Sequence, residues 1–367
     1  WLWQLKEKWP LFVLSAVLVT IIFYAPGETE TLLKTFPLSD RLANAPVAFM
    51  TYLAKTFWPY GLAILYPFNA DIPAWQVLGA VLIILAMTVF TLLKIRHLPF
   101  LLVGWFWLAI TIAPVLGIIQ ISLSTPYAMA DRYHYLPSIG IAVIIAWGLP
   151  HLFAHRNALK KILFSAGIIF IVSMSILTWK QCSRWFNTVT LFSHTLKITE
   201  NNYVAHNNLG LTLYKAGRIN DAILHYNKAI AIKPDYAIAY NNRGNVYSQL
   251  KRHSNALEDL NEAIRLRPDL ADAYNNRGSV YFRMQDYKKS IKDFNEAIRL
   301  KPSFSFAYQN LGLAYLKQDN EDIACINLRQ ACSMGICNNL DWAKDKGFCV
   351  SAVEKILNLI TNNSHFL

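Results

Sequence analysis

The sequence predicts an all-α protein in which a polytopic helical membrane domain is followed by an α-solenoid. Apolar segments of membrane-spanning length fill the first half, and a 34-residue period fills the second half. Of the 367 residues, 54% are hydrophobic and 16% are charged, against about 25% charged residues in typical soluble domains. This composition excludes a disordered chain and argues against a wholly soluble one. The five cysteines are too few for a small disulfide scaffold.

Residues 1–180 are expected to form the membrane domain. A spanning helix needs about 20 predominantly apolar residues. Four segments meet this requirement, and a shorter one at the N-terminal side is extended by Trp9 and Pro10. The candidate spans are 11–25, 74–93, 99–121, 136–153 and 162–179. Segment 42–68 is also apolar but carries Lys55 near its centre, where a charge costs about 2.5–3.5 kcal/mol on insertion scales. We therefore expect an interfacial or re-entrant helix there.

The basic residues of the short loops predict the orientation of this domain. If 42–68 does not cross, seven Lys and Arg residues flank the spans on one side, and three lie on the other side with five acids. Cytoplasmic loops carry the excess of Lys and Arg. The second half should therefore lie outside the cytoplasm, in a periplasm or lumen, with the spans in the inner membrane if the protein is bacterial.

The formal net charge of +12 is also a feature of many nucleic-acid-binding proteins. The basic residues form no stripe with interleaved aromatic residues, so no nucleic-acid partner is expected. Short positive loops beside apolar spans are the commoner cause of such a charge. The expected partner is membrane lipid.

A 34-residue period organises the second half. The recurring residues are Gly210, Gly244, Gly278 and Gly312, then Ala222, Ala256, Ser290 and Ala324, then Ala229, Ala263, Ala297 and Ala331, with Pro234, Pro268 and Pro302 at the ends of three units. The small residues allow two antiparallel helices and the next unit to approach closely, while Pro limits the helix.

This pattern resembles the tetratricopeptide repeat. The resemblance covers residues 203–336, and half a repeat precedes it, so the expected repeat domain is 184–336. Capping helices near 338–347 and 350–361 are expected in the last domain, 337–367. The chain departs from the pattern at three positions, because Ile336 replaces the last Pro, and Arg243 and Arg277 replace the usual Leu before Gly.

An asparagine ladder runs through the repeats. Its members stand two residues before each periodic glycine and are Asn208, Asn242, Asn276 and Asn310. On the first helix of a repeat this position is expected to face the concave groove. The ladder resembles those that hold extended peptide backbone in the nucleocytoplasmic O-GlcNAc transferase, and an amide both donates and accepts hydrogen bonds. The sequence therefore predicts a polypeptide partner, and the alternative is a surface asparagine inherited with the repeat.

A second candidate site is the segment 129–140, Met-Ala-Asp-Arg-Tyr-His-Tyr-Leu-Pro-Ser-Ile-Gly. It is expected in an outside loop that enters a span. An arginine such as Arg132 binds a lipid phosphate through two parallel hydrogen bonds, and Asp131 is placed to orient it or to act on a substrate. The alternative is an Arg-Tyr anchor at the membrane interface before a helix that starts with Pro.

Several motifs in sequence order resemble the transmembrane-and-tetratricopeptide-repeat (TMTC) family, including its bacterial relatives. They are Trp58-Pro59, Tyr66-Pro67-Phe68, Gly104-Trp105 and Ala130-Asp131-Arg132 through Leu136-Pro137-Ser138-x-Gly140, followed by the repeats. The resemblance implies a C-type glycosyltransferase similar to the protein O-mannosyltransferases. It implies a polyprenyl-phosphate sugar as donor, repeats that present the acceptor polypeptide, and a donor-phosphate contact at Arg132 beside Asp131 and Tyr133.

The chain departs from this superfamily in one important respect. Its enzymes keep an acidic catalytic residue in the first outside loop and have more than five spans. The chain begins at Trp1 and is expected to lack that loop, and Glu28 and Glu30 are interpreted as solvated loop residues. No catalytic residue is assigned. The sequence therefore leaves two functions open, a glycosyltransferase or part of one, and a non-catalytic membrane-tethered repeat scaffold for protein assembly.

No cofactor and no metal site is predicted from the sequence. It contains no phosphate-binding glycine loop, no His-Glu-x-x-His and no nucleophile elbow. His151 and His155 lie four residues apart at the end of a span and are interpreted as interfacial residues.

Four of the five cysteines crowd into the expected cap, and in an oxidising compartment they should pair. Three pairings are possible for four cysteines. Cys325 and Cys332 share a helix and lie roughly 10 Å apart, too far for a bond. An antiparallel next helix favours Cys332–Cys337 and Cys325–Cys349 among the remaining pairings. The alternative is four reduced cap residues, and Cys182 stays unpaired in either case.

Overall fold

The computed structural model describes residues 37–67, 72–116, 127–130, 134–152 and 157–350. The chain divides into two compact units, residues 1–201 and 202–367. The secondary-structure elements of the described residues are helices, apart from one pair of short strands, in agreement with the predicted all-α fold. The expected span 11–25, Glu28, Glu30 and the expected helix over 350–361 beyond its first residue lie outside the described residues.

Six helices form the described part of the first unit. They are α1 (Leu38–Phe57), α2 (Ala74–Leu93), α3 (Pro99–Ile112), α4 (Tyr135–Leu152), α5 (Asn157–Arg184) and α6 (Thr188–Ile198). A 3₁₀ turn over Ala113–Val115 follows α3. The strands β1 (Tyr66–Pro67) and β2 (Tyr127–Met129) pair antiparallel, so the chain after α1 meets the chain before α4.

Helix α1 differs at both ends from the helix expected over 42–68. It begins after Pro37 and ends at Phe57, because Pro59 lacks the backbone N–H that would continue it. Lys55 therefore lies in the last helical turn, where a cation is favoured by the helix dipole. Its amine donates a hydrogen bond to the carbonyl oxygen of Gly61 at 3.1 Å.

Two helices of the described residues are long and apolar enough to cross a membrane, Ala74–Leu93 and Ser165–Arg184. Only 11% and 0% of their apolar windows are buried, and exposed apolar surface of this kind is typical of contact with lipid or protein. The helices over Pro99–Val115 and Tyr135–His151 are apolar but shorter. Helix α3 ends well before the expected residue 121, since Pro114 interrupts the backbone hydrogen bonding.

Helices α3 and α4 cross at Gly104 and Gly140. A Cβ atom on either glycine would collide with the backbone oxygen of the other, and small residues at such crossings are typical of membrane helices. The adjacent Trp105 is buried edge-on against Phe49 of α1, with the ring centroids 5.5 Å apart. Its Nε1 donates to the hydroxyl of Thr88 at 3.0 Å. This tryptophan therefore contacts α1 and α2 from α3.

Nine helices form the described part of the second unit, as four antiparallel pairs and a ninth helix. They are α7 (Tyr203–Lys215), α8 (Ile219–Ile232), α9 (Ala237–Gln249), α10 (His253–Leu266), α11 (Ala271–Arg283), α12 (Tyr287–Leu300), α13 (Ser305–Leu316), α14 (Glu321–Ser333) and α15 (Asn338–Asp345). Each helix contacts the next along the chain, which makes an α-solenoid.

The periodic small residues lie where the helices of the solenoid meet. A Cβ on Gly244 would lie 2.9 Å from Leu260 Cγ and 3.2 Å from the carbonyl oxygen of Ala256. Ala263 is fully buried and packs against Ala273 of the next repeat. The roles predicted for the glycine and the two alanine positions therefore agree with the packing.

Candidate functional site

The first helices of the four repeats, α7, α9, α11 and α13, lie side by side and contact each other in succession. We call the surface that they form the groove. The asparagine ladder lies on this surface, where its four amides are half-buried.

Three of the four ladder amides are bonded to the preceding repeat. The Nδ2 atoms of Asn242, Asn276 and Asn310 donate at 2.9 Å to the side-chain oxygens of Asn207, Asn241 and Asn275, respectively. These three acceptors are buried, so their oxygens need such partners. The bond uses one of the two N–H groups of each of these three amides and leaves hydrogen-bonding capacity for a ligand.

Arg243 and Arg277, which depart from the repeat pattern, make recurring contacts. Two nitrogens of Arg243 donate to the carboxylate of Asp259 at 2.8 and 2.6 Å, and a third contact at 2.6 Å reaches Asn227 of the preceding repeat. Arg277 repeats this arrangement with Asp293 and Asn261. Burial raises the pKa of Asp259, and the hydrogen bonds from Arg243 oppose that shift. The arginines thus join the two helices of one repeat to the repeat before.

The first repeat has a histidine pair at the related position. Leu209 stands where the second repeat has Arg243, and His225 stands where it has Asp259. The Nδ1 atoms of His206 and His225 lie 2.9 Å apart. Burial, together with the smaller effects of the charges of His225 and Lys228, lowers the pKa of His206 to about 4. Burial also lowers the pKa of His225. Because the ring of His206 is neutral near pH 7, the two rings share one N–H in a hydrogen bond.

A cavity of about 240 Å³ opens in the groove between the third and fourth repeats. It is lined by Ser279, Phe282, Arg283, Phe294, Asn310 and Leu313. One end of the asparagine ladder therefore reaches a concave site with both apolar and polar walls.

The C-terminal cap contains two disulfides. Cys325 pairs with Cys349 and Cys332 pairs with Cys337, with Cα–Cα distances of 5.2 and 4.1 Å. These are the pairs that the sequence favours, and Cys182 is free and exposed. Helix α15 folds back on α14, where its Leu340 and Ala343 pack against Cys325 and Leu328.

The second candidate site is described only at its two ends, because Asp131, Arg132 and Tyr133 lie outside the described residues. Before the gap, the Tyr52 hydroxyl is 3.0 Å from both the backbone N–H and the carbonyl oxygen of Ala130. After it, His134 stacks on Tyr52 with ring centroids 5.6 Å apart and is hydrogen-bonded to the Thr56 hydroxyl. The residues that flank 131–133, Ala130 and His134, are therefore both attached to α1.

A further polar contact lies near the end of α1. The Lys55 amine donates to the hydroxyl of Tyr66, which itself lies 2.8 Å from the carbonyl oxygen of Gly61. Sequence reasoning missed this cluster and used Lys55 only as an argument against a span. The sequence did contain a signal for this cluster, because Tyr66-Pro67 belongs to one of the motifs that resemble the TMTC family.

Sequence reasoning also missed the Arg–Asp contacts of the second and third repeats. The signal was present, because an aspartate follows each of the two arginines by 16 residues. In the part of the chain that the structure describes, no group of three or more His, Cys, Asp or Glu residues is arranged to hold a metal ion. His151 lies edge-on to Phe100, with the ring centroids 6.3 Å apart, whereas His155 is outside the described residues.

Family models match the second unit in successive segments. A model described as TPR repeat matches residues 210–251 and 244–285, and models described as Tetratricopeptide repeat match 271–304 and 307–334. These segments run from the middle of α7 to the end of α14. Residues 210–304 and 307–334 are therefore tetratricopeptide repeats.

Curated relatives are protein O-mannosyl-transferases. The chain is 25% identical over 134 residues to Protein O-mannosyl-transferase Tmtc3 of Drosophila melanogaster, covering 36% of this chain and 14% of that protein. It is also 25% identical over 230 residues to Protein O-mannosyl-transferase TMTC1 of Homo sapiens, covering 58% of this chain and 26% of that protein. The second match covers more of the chain than residues 202–367 contain, so it extends into the first unit. The chain is thus related to the TMTC proteins and spans at most about a quarter of the length of these two.

Among solved structures, the chain is similar to the crystal structure of MamA. The similarity has a TM-score of 0.36 with 32% sequence identity, and it covers 40% of this chain and 85% of that chain.

Proposed function

We propose that the chain belongs to a membrane-anchored protein O-glycosyltransferase that uses a polyprenyl-phosphate sugar and whose repeats present the acceptor polypeptide. Three observations support the proposal: the similarity to protein O-mannosyl-transferases, the apolar helices that precede the repeats, and the asparagine ladder in the groove. The ladder is the observation that carries the peptide-binding role.

The ladder suits an extended polypeptide because it repeats one chemical group at a fixed interval. The bonds from Asn242 to Asn207 and from Asn276 to Asn241 fix the orientation of each amide before a ligand arrives. A fixed side chain loses little conformational entropy on binding. The remaining N–H and carbonyl groups bind main-chain groups of the ligand, so acceptors of many sequences are accommodated.

The donor site is proposed at the segment 131–133. Arg132 would hold the lipid phosphate through its guanidinium fork, with Asp131 and Tyr133 beside it. The attachment of Ala130 and His134 to α1 supports this role, because it fixes the positions of the two residues that flank the segment. In this proposal the membrane lies at the first unit, and the repeats lie on the extracytoplasmic side.

The alternative function is a non-catalytic membrane-tethered scaffold in which the groove binds partner proteins. It is favoured by the repeats themselves, because most such arrays bind other proteins without catalysing a reaction. Sugar transfer separates the two functions, since only the enzyme moves mannose from polyprenyl-phosphate mannose to a peptide.

Binding of polypeptide to the ladder is tested on the purified full chain with fluorescently labelled peptides rich in Gly, Ser and Thr. Replacing both Asn242 and Asn276 by Ala should weaken binding, because each lost hydrogen bond costs about 0.5–1.5 kcal/mol. The control is Asn295→Ala, an exposed asparagine on the second helix of a repeat. Circular dichroism verifies that each variant is folded. Equal affinities for the folded double variant and the native chain would refute the role of the ladder.

A further inference from the structure

The cavity between the third and fourth repeats has the size of a side-chain site. Its volume of about 240 Å³ is below the roughly 300–1,000 Å³ of sites for drug-sized ligands. Phe282, Phe294 and Leu313 give it apolar walls, and Phe294 is buried beneath it. A cavity of this size and lining fits one apolar side chain.

Arg283 adds a charge to the rim of this cavity. Its Nη1 donates to the carbonyl oxygen and to the hydroxyl of Ser248, both at 2.9 Å. Among the described residues no carboxylate pairs with Arg283, in contrast to Arg243 and Arg277. A guanidinium has five N–H donors, so Arg283 retains donors for an anionic group of a ligand.

We propose that this cavity selects the polypeptide bound in the groove, taking segments in which an apolar side chain is flanked by Asp or Glu. The apolar side chain fills the cavity, and the neighbouring carboxylate meets Arg283. This inference rests on the proposed peptide-binding function. It adds a sequence preference to the groove, whereas the ladder amides recognise the main chain of any sequence.

A comparison of the repeats suggests a substitution that fills the cavity with a residue type already found at the equivalent position. Ser279 stands at a position that Leu211 holds in the first repeat and Leu313 in the fourth. Because two repeats accommodate Leu there, Ser279→Leu is expected to fold and to fill the cavity. The matched control is Asn245→Leu, the same change one repeat earlier.

A second matched pair tests the charge. Arg283→Gln removes the cation but keeps donors for Ser248, and Lys317→Gln removes an exposed cation 34 residues later, at the equivalent position of the next repeat. If Arg283 acts through the cavity, only the first of these changes affects recognition of an acidic neighbour.

The experiment measures the affinity of the full chain for labelled Gly/Ser peptides with a central Glu-Phe-Glu, Gln-Phe-Gln or Glu-Ala-Glu segment. We expect the first peptide to bind about fivefold more tightly than the other two, a difference of about 1 kcal/mol. Ser279→Leu should remove the preference for Phe, and Arg283→Gln should remove the preference for Glu. High salt should weaken the preference for Glu. Asn245→Leu and Lys317→Gln should keep both preferences.

Equal affinities for the three peptides would overturn the inference, as would equal effects of Arg283→Gln and Lys317→Gln. Peptide binding that still depends on Asn242 and Asn276 would show in that case that the proposed function stands. If the folded chain binds none of the peptides, both the inference and the proposed function fail.

Discussion

Arg243 and Asp259 form a partly buried pair that recurs in the third repeat but not in the fourth. The side chains are 19% and 6% exposed, and the fourth repeat has Leu311 and Asn327 at the equivalent positions. Because the fourth repeat has two uncharged residues at these positions, we expect that both charged residues can be replaced together but that neither can be replaced alone. Removal of one partner leaves a buried charge without its counter-ion, which is costly.

Arg243→Leu should therefore lower the free energy of unfolding by about 2–3 kcal/mol, somewhat below the cost of breaking a fully buried pair. Adding Asp259→Asn, which recreates the composition of the fourth repeat, should recover most of this loss. Thermal unfolding of the full chain, followed by circular dichroism, measures both effects. Arg265→Leu breaks an exposed pair with Glu262 and should leave the unfolding midpoint unchanged. A double variant no more stable than Arg243→Leu would contradict the exchange.

At the scale of elements, sequence periodicity predicts the repeat helices well but places the ends of the first-unit helices poorly. Apolar composition alone extends one span to residue 121, whereas α3 ends at Ile112 before Pro114. The same reasoning extends a helix to residue 68, whereas α1 ends at Phe57 before Pro59. Hydropathy reports the environment of a segment, while proline and hydrogen bonding decide where a helix ends.

The cap offers a prediction at this scale, because its disulfides join α14 to the chain after it. Peptide mapping of exported protein without reductant should recover Cys325–Cys349 and Cys332–Cys337. Replacing Cys325 and Cys349 by Ala should cost about 3 kcal/mol of stability, since the bond closes a loop with a sequence separation of 24 residues. The matched change at Cys332 and Cys337, with a separation of 5, should cost less. Free thiols at all four positions, or a Cys337–Cys349 peptide, would contradict the pairing.

For the whole molecule, the distribution of Lys and Arg predicts where the second unit lies. Alkaline phosphatase is active only outside the cytoplasm, so its fusion after residue 367 should be active and its fusion within 155–161 should be inactive. The physical reason is the excess of basic residues in cytoplasmic loops. The two fusions control for each other's expression. Activity of the 155–161 fusion alone would reverse the predicted orientation.

The sequence by itself determined the order of the two parts, the 34-residue period and the pairing of helices within each repeat. These features depend on the composition and spacing of neighbouring residues, which a linear pattern records. Only the tertiary structure decided that Asn242 bonds to Asn207, that Arg243 pairs with Asp259 and that Tyr52 holds Ala130. These contacts join residues 35, 16 and 78 positions apart, and their geometry depends on how whole helices pack. The cavity beside Arg283 likewise exists only because α11 and α13 lie side by side.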